Sequence, residues 1–289
     1  MTDRIDDFPY PLISTGELGD RIESGRIRII DASWRMPDAG HALDDHRKRR
    51  IPGAVFFDLD EIADKSQSLP HMLASQDAFA KAVGAMGIAS DDKVVIYDDA
   101  GLFSAPRVWW TFRAMGHDAV SVLDGGLGKW TSEGRPVDAG LAAPAPVQYR
   151  CNAARAISRT SGDVRALLSA KSGAVIDARP APRFLGRAAE PRAGLRSGAM
   201  PGALNLPHAL LVSQSGELAP PEAIKRLFDE AGLRGGEEVI TSCGSGVTAA
   251  VLFLALERIG RSDVGLYDGS WAEWGKEEND SALFPVAAG

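Results

Sequence analysis

Short runs of aliphatic and β-branched residues recur along the chain: Ile29-Ile30, Val95-Ile96, Val122-Leu123, Val175-Ile176, Val239-Ile240 and Leu266-Tyr267. Stretches with helical spacing lie between them, and this alternation predicts parallel strands joined by crossover helices. Between Pro221 and Leu233 the apolar residues Ile224, Leu227, Phe228 and Ala231 share one helical face, with proline at the start and Gly232 near the end. Ser75 to Met86, with Phe79, Val83 and Met86, predicts its counterpart. The expected fold class is α/β, with helices flanking parallel sheets.

The pattern occurs twice. Val95 to Trp130 can be laid on Val239 to Trp274 with a constant offset of 144. Gly116 then meets Gly260, Val122-Leu123-Asp124-Gly125-Gly126 meets Leu266-Tyr267-Asp268-Gly269-Ser270, and Trp130 meets Trp274. Upstream, Ile29-Ile30-Asp31-Ala32 answers Val175-Ile176-Asp177-Ala178, and Ile51-Pro52-Gly53-Ala54 answers Met200-Pro201-Gly202-Ala203. So many matches in register imply two copies of one unit. Ala-Pro-Ala-Pro at 143–146 suits an extended connection, so the expected organisation is a first domain over 1–140, a linker over 141–158 and a second domain over 159–289. Trp109, Trp110, Trp271 and Trp274 read as packing residues, since large aromatics usually fill cores.

Composition narrows the function. The 289 residues carry 39 acids against 32 bases, a net charge of −7 with no basic stripe, which argues against a nucleic-acid partner. No apolar run reaches the roughly 18 residues of a membrane span. The start MTDRIDDFPYPL is acidic where a targeting peptide is basic, so the expected location is cytoplasmic, with no membrane partner. Two cysteines, Cys151 and Cys243, are too few for a disulfide framework. No Cys-x2-Cys or His-x3-His pair occurs, so a metal site is not expected.

The chemistry concentrates after Val239-Ile240, where Thr241-Ser242-Cys243-Gly244-Ser245-Gly246-Val247-Thr248 reads as a strand end, a tight loop of small residues and a helix start. Backbone N–H groups of such a loop converge and stabilise an anion. If that anion is the Cys243 sulfur, the thiolate is favoured and becomes a nucleophile. A small buried hydrophobe is the commoner role of a lone cysteine; the position beyond the carboxyl end of a strand, where α/β ligand sites lie, argues for the nucleophile. Cys151 sits in linker sequence and carries no such setting. The first copy has Asp99 where the second has Cys243, so one half alone has the thiol.

These features, with Asp31-Ala-Ser-Trp34, Pro52-Gly-Ala-Val-Phe-Phe-Asp58, Ser104-Ala-Pro-Arg-Val-Trp-Trp110 and Asp268-Gly-Ser-Trp271, resemble the two-domain sulfurtransferases of the rhodanese superfamily over nearly the whole chain. The resemblance implies tandem rhodanese-like domains, a Cys243 persulfide intermediate, and binding of the donor by the loop Gly244, Ser245, Gly246, Val247 and Thr248. Thiosulfate-using members carry basic residues directly after the cysteine. The uncharged Gly244-Ser245 instead resembles the branch that takes sulfur from 3-mercaptopyruvate. That branch also implies that Arg183 and Arg192, within Asp177-Ala-Arg-Pro-Ala-Pro-Arg-Phe184 and Glu190-Pro-Arg192, hold the donor's carboxylate and ketone. A guanidinium fork suits paired oxygens, although two arginines in a polar loop are usually solvated charges. The family further implies a Ser245–His71–Asp60 proton relay and a thiol acceptor, thioredoxin or a small thiol. A lone His and a lone Asp more often cap or decorate a surface.

Departures from the family pattern are Arg50 and Ala199 in place of a histidine before the Pro-Gly turns, and Phe103 in place of a tyrosine. Arg107 suits an interdomain salt bridge or the cleft between the halves. A phosphatase would need Arg at position 249, which is Ala. Thiosulfate sulfurtransferase and a non-enzymatic sulfur carrier or regulatory module are the remaining alternatives.

Overall fold

The computed structural model describes residues 8–23 and 27–287. Most of the acidic N-terminal stretch considered above therefore lies outside the described residues. The chain divides into two compact units, each assembled from non-contiguous segments: residues 1–63, 74–155 and 212–218 in the first, and 64–73, 156–211 and 219–289 in the second.

The first unit contains β1 (Leu12–Ile13), α1 (Thr15–Glu23), β2 (Arg28–Asp31), α2 (Ala42–Lys48), β3 (Val55–Phe56), α3 (Leu59–Ile62), α4 (Gln76–Ala85), β4 (Val94–Tyr97), α5 (Ala105–Ala114), β5 (Val120–Leu123) and α6 (Gly126–Ser132). Its sheet is parallel with order β1-β5-β4-β2-β3. The second unit contains β6 (Ser158–Arg159), α7 (Ser161–Ala170), β7 (Gly173–Asp177), α8 (Ala181–Phe184), β8 (Leu204–Asn205), α9 (Pro221–Glu230), β9 (Glu238–Ser242), α10 (Ala249–Arg258), β10 (Val264–Tyr267) and α11 (Ser270–Trp274). Its order, β6-β10-β9-β7-β8, is again parallel. The repeat in the sequence is thus a repeat of sheets.

Local sequence accounts for the elements. Every residue of β4 is buried, as expected for a central strand covered on both faces. The helices expected at 75–86 and 221–233 form as α4 and α9. Ser75 caps α4 by accepting the Ala78 N–H, and Gly232 follows α9 at φ +98°. Thr160 and Asp163 form a reciprocal capping box at the start of α7. Ile13, Leu18, Ile29, Val95, Tyr97 and Trp130 pack one side of the first sheet; Val164, Leu167, Val175, Ile240, Trp271 and Trp274 do the same in the second. Trp109 and Trp110 are also fully buried, as the packing reading expected.

One aspartate in each unit fastens a segment contributed from far along the chain. In the first, Asp124 accepts the Leu218 N–H at 2.8 Å; in the second, Asp268 accepts the Leu73 N–H at 2.7 Å. The segment 64–73 is also closed on itself, by the Asp64 N–H donating to the Met72 carbonyl at 2.9 Å.

Candidate active site

Cys243 directly follows β9, the central strand of the second sheet, and is only 2% exposed. Ser242, the last residue of β9, is in register with Asp177, the last residue of β7, and the Ala178 N–H donates to the Ser242 carbonyl at 2.8 Å. The two loops that leave these strands are thereby held side by side. One carries the cysteine and the other carries the arginines.

The backbone of Cys243 is fixed by α11. Its N–H donates to Ser270 Oγ at 3.2 Å, and its carbonyl accepts the Trp271 N–H at 3.0 Å. Ser270 Oγ in turn donates to the Tyr267 carbonyl at 2.8 Å, and the residue is held at φ +48°. The Ala272 N–H donates to the Gly244 carbonyl at 2.8 Å. The N–H groups of Gly244, Ser245, Val247 and Thr248 donate to no carbonyl or side-chain oxygen among the described residues. Four donors therefore stand ready for an anion in front of the ten-residue helix α10. Gly246 supplies the turn at φ +77°.

Around this loop lies a buried ion network. Arg179 is clamped between Asp177, at 2.7 Å, and Glu190, at 2.7 Å, and lies 4.0 Å over the Trp271 ring. Burial works against its charge, but Asp177 and Glu190 outweigh that and keep its pKa above the ordinary arginine range. The same Glu190 carboxylate, 1% exposed, also accepts from Arg183. The Arg183 side chain retains 22% exposure. A Cβ added to Gly244 would stand 3.3 Å from Arg183 Nη2 and 4.0 Å from Arg192 Nη1. Both arginines expected to hold a donor therefore lie beside the cysteine loop. A side chain at 244 would require Arg183 to give by a few tenths of an ångström.

Of the relay residues, His71 and Ser245 are brought together: His71 Nδ1 is 3.1 Å from Ser245 Oγ, and both side chains are buried. His71 belongs to the segment fastened by Asp268 and takes φ +60°, strained for a residue with a Cβ. Asp60 belongs to the first unit, where its carboxylate accepts Trp34 Nε1–H at 2.9 Å. Cys151 also lies in the first unit, its sulfur 3.5 Å from the Gln76 carbonyl, and burial pushes its thiol up. Glu190, Arg179 and Ser270 were not singled out by the sequence. For the first two the only signal was a pair of acids, Asp177 and Glu190, set among Arg179, Arg183, Arg187 and Arg192.

The position equivalent to the cysteine in the first unit is closed. Asp99 pairs with Arg35, and the preceding Asp98 carboxylate accepts N–H groups of Phe103, Ser104 and Ala105 at 2.7–2.8 Å. No group of three or more His, Cys, Asp or Glu among the described residues is placed to hold a metal ion. No helix among them is long and apolar enough to cross a membrane.

Comparison with known proteins agrees with this arrangement. The rhodanese-like domain family matches residues 14–133 and again 160–277. The chain is 42% identical to human 3-mercaptopyruvate sulfurtransferase over 251 residues, covering 86% of this chain and 84% of that protein. It is 38% identical to thiosulfate sulfurtransferase of Bos taurus, covering 91% of each. The crystal structure of SseA from Escherichia coli, a 3-mercaptopyruvate sulfotransferase, superposes with a TM-score of 0.83 at 36% identity, covering 92% of this chain and all of that one. Two matched domains, relatives of this similarity and a shared architecture lead to one conclusion: the chain belongs to the rhodanese-like domain family, as a tandem pair of such domains.

Proposed function

We propose that this protein is a sulfurtransferase that takes sulfur from 3-mercaptopyruvate onto Cys243 and passes it to a thiol. The observation that carries the reading is a buried cysteine, four loop N–H groups uncommitted among the described residues and two arginines, together at the carboxyl end of one sheet. Arg183 and Arg192 bind the carboxylate and ketone oxygens of the donor and set its sulfur toward Cys243. The Cys243 thiolate attacks that sulfur and the carbon–sulfur bond breaks. Its electron pair forms the enolate of pyruvate, whose oxygen the arginines stabilise as charge grows on it. Ser245, backed by His71, supplies the proton that converts the enolate to pyruvate. The loop N–H groups of residues 244–248 hold the persulfide that remains. The acceptor, thioredoxin or a small thiol, then removes the outer sulfur. A free cysteine and a thiol acceptor both suit a reducing compartment such as the cytoplasm.

The uncharged side chains at 244 and 245 leave a dianion such as thiosulfate without cations of its own in the loop, which favours the monocarboxylate donor. The test is turnover of both donors by wild type and Cys243→Ser, with intact mass after donor treatment. Wild type releases pyruvate and gains about 32 Da, the mass of one sulfur; the serine variant does neither. Preference for thiosulfate would overturn the donor assignment, and absence of an adduct with either donor would overturn the enzyme.

A further inference from the structure

In each unit a short segment from far along the chain lies against the loop that follows the central strand. In the second unit the segment is 64–73, and it brings His71 Nδ1 to 3.1 Å from Ser245 Oγ. In the first it is 212–218, and it brings Gly216 onto Gly101, where an added Cβ would stand 2.6 Å from the Gly216 Cα. The two contacts are equivalent. Ser245 and Gly101 each lie two residues beyond the aligned positions Cys243 and Asp99. His71 and Gly216 each lie two residues before a leucine whose N–H is held by an aspartate, Leu73 by Asp268 at 2.7 Å and Leu218 by Asp124 at 2.8 Å. Both also take a left-handed backbone, at φ +60° and +83°.

We propose that Asp268 is a positioning residue for the reaction: by holding the Leu73 N–H it sets the backbone of the 64–73 segment, and that backbone, rather than the His71–Ser245 hydrogen bond, keeps the imidazole on Ser245. The inference rests on the sulfurtransferase reading, with Ser245 and His71 as its proton source. The first unit supplies the reason. There the segment meets the loop in the same way although neither Gly216 nor Gly101 has a side chain to draw them together, so the meeting is imposed by the anchored backbone. Glycine takes the left-handed conformation readily, whereas histidine is strained in it, and a strained residue persists only where its surroundings dictate it. No strand or helix within 64–73 does so. The Asp64 N–H closes the segment on the Met72 carbonyl at 2.9 Å, and Asp268 ties it to the end of β10. Asp268 is only 4% exposed, and an N–H donated to a buried carboxylate is a strong, charge-assisted hydrogen bond. In the reaction the carbon–sulfur bond breaks with its electron pair on the enolate, the Ser245 hydroxyl gives its proton to the enolate carbon, and His71 Nδ1 returns one to Ser245 Oγ. Displacing the segment lengthens that last contact and leaves Cys243, Arg183 and Arg192, which lie on other loops, in place.

The test is a double-mutant cycle on single-turnover pyruvate release, with Asp268→Asn, His71→Ala and the two combined. Asp124→Asn is the control, since it weakens the same anchor in the unit that lacks the thiol. Asp268→Asn is expected to slow release about tenfold with the steady-state KM for 3-mercaptopyruvate unchanged. His71→Ala is expected to slow it at least as much, and the combined variant to match His71→Ala within about twofold, because the carboxylate acts only through the histidine. Asp124→Asn should lower stability in urea and release pyruvate at the wild-type rate. Asp268→Glu, which keeps the charge and misplaces the acceptor, replaces Asp268→Asn if that variant does not fold, with the same expected slowing. Full-speed release by the folded Asp268 variant, a combined variant about tenfold slower than His71→Ala, or equal slowing by Asp124→Asn would each overturn the inference. Full-speed release by His71→Ala would instead overturn the proton role of His71, and absence of pyruvate release in wild type the sulfurtransferase reading itself.

Discussion

Ser270 occupies a left-handed conformation at φ +48°, and its hydroxyl bridges the Cys243 N–H and the Tyr267 carbonyl. The two features oppose each other energetically. A side chain in that region costs about 1–2 kcal/mol, while loss of the hydroxyl leaves a buried N–H unpaired at about 1–3 kcal/mol. Ser270→Ala keeps the strain and loses the bond. Ser270→Gly loses the bond and relieves the strain, minus the roughly 0.5–1 kcal/mol of extra chain entropy that glycine gives up on folding. Glycine should therefore be more stable than alanine by about 0.5–1 kcal/mol, the reverse of their order inside a helix, where alanine leads by about 1 kcal/mol. The aligned residue of the first unit is Gly126, at φ +56°, where a Cβ would collide with the Asp98 carbonyl. Urea unfolding of both variants against wild type gives the ordering directly. Both should also slow single-turnover pyruvate release by about tenfold, equivalent to roughly 1.4 kcal/mol of lost positioning. Alanine equal to or more stable than glycine would refute the strain argument; full-speed release in both variants would refute the positioning role.

Glu190→Gln removes the charge shared by Arg179 and Arg183. It is expected to destabilise the protein by about 3 kcal/mol, as for other broken buried pairs, and to raise the KM for 3-mercaptopyruvate about tenfold with less change in kcat. Urea titration and steady-state kinetics check the two parts, and lost stability with an unchanged KM would make Glu190 purely structural. His117 is buried, and burial lowers its pKa below the ordinary histidine value despite its contact with the Asp92 carbonyl at 3.0 Å. Because the folded value is depressed, the unfolded chain takes the proton first. Its contribution is complete above about pH 6.5, the unfolded value, and is lost as pH falls toward the folded one. Wild type should lose more stability than His117→Gln between about pH 7.5 and 5.5; parallel losses would contradict this.

The strands were legible because β-branched runs buried on both faces leave a strong local signal, and the cysteine loop because small residues after such a run have few other uses. Arg183 and Arg192 were legible only through the resemblance. Their placement depends on register between β7 and β9, which no local pattern encodes. Ser270 lies 27 residues from the N–H it accepts, and Glu190 does its work by being buried between two cations, a property of the packed state. His71 is the clearest case. It lies in the first repeat by sequence, yet the segment 64–73 is part of the second unit, fastened by Asp268, and this exchange exists only as tertiary contact.

The two units also show what the loop, as distinct from the sheet, contributes. In the first, Asp98 fills its own loop: burial raises its pKa, and the N–H groups of Ala105, Phe103 and Ser104 oppose that rise. Those donors are spent on a built-in carboxylate, and Arg35 is spent on Asp99. At the aligned positions the second unit has Ser242, whose buried hydroxyl makes no hydrogen bond, and Cys243. A neutral residue there leaves the loop donors uncommitted, and the arginines nearby are held by Glu190 rather than by the loop itself. The same parallel sheet thus presents an internally neutralised loop in one copy and an anion site with a thiol in the other. The difference lies in two side chains at the end of one central strand, which is why the thiol alone would not suffice: the carboxylate before it has to be absent as well.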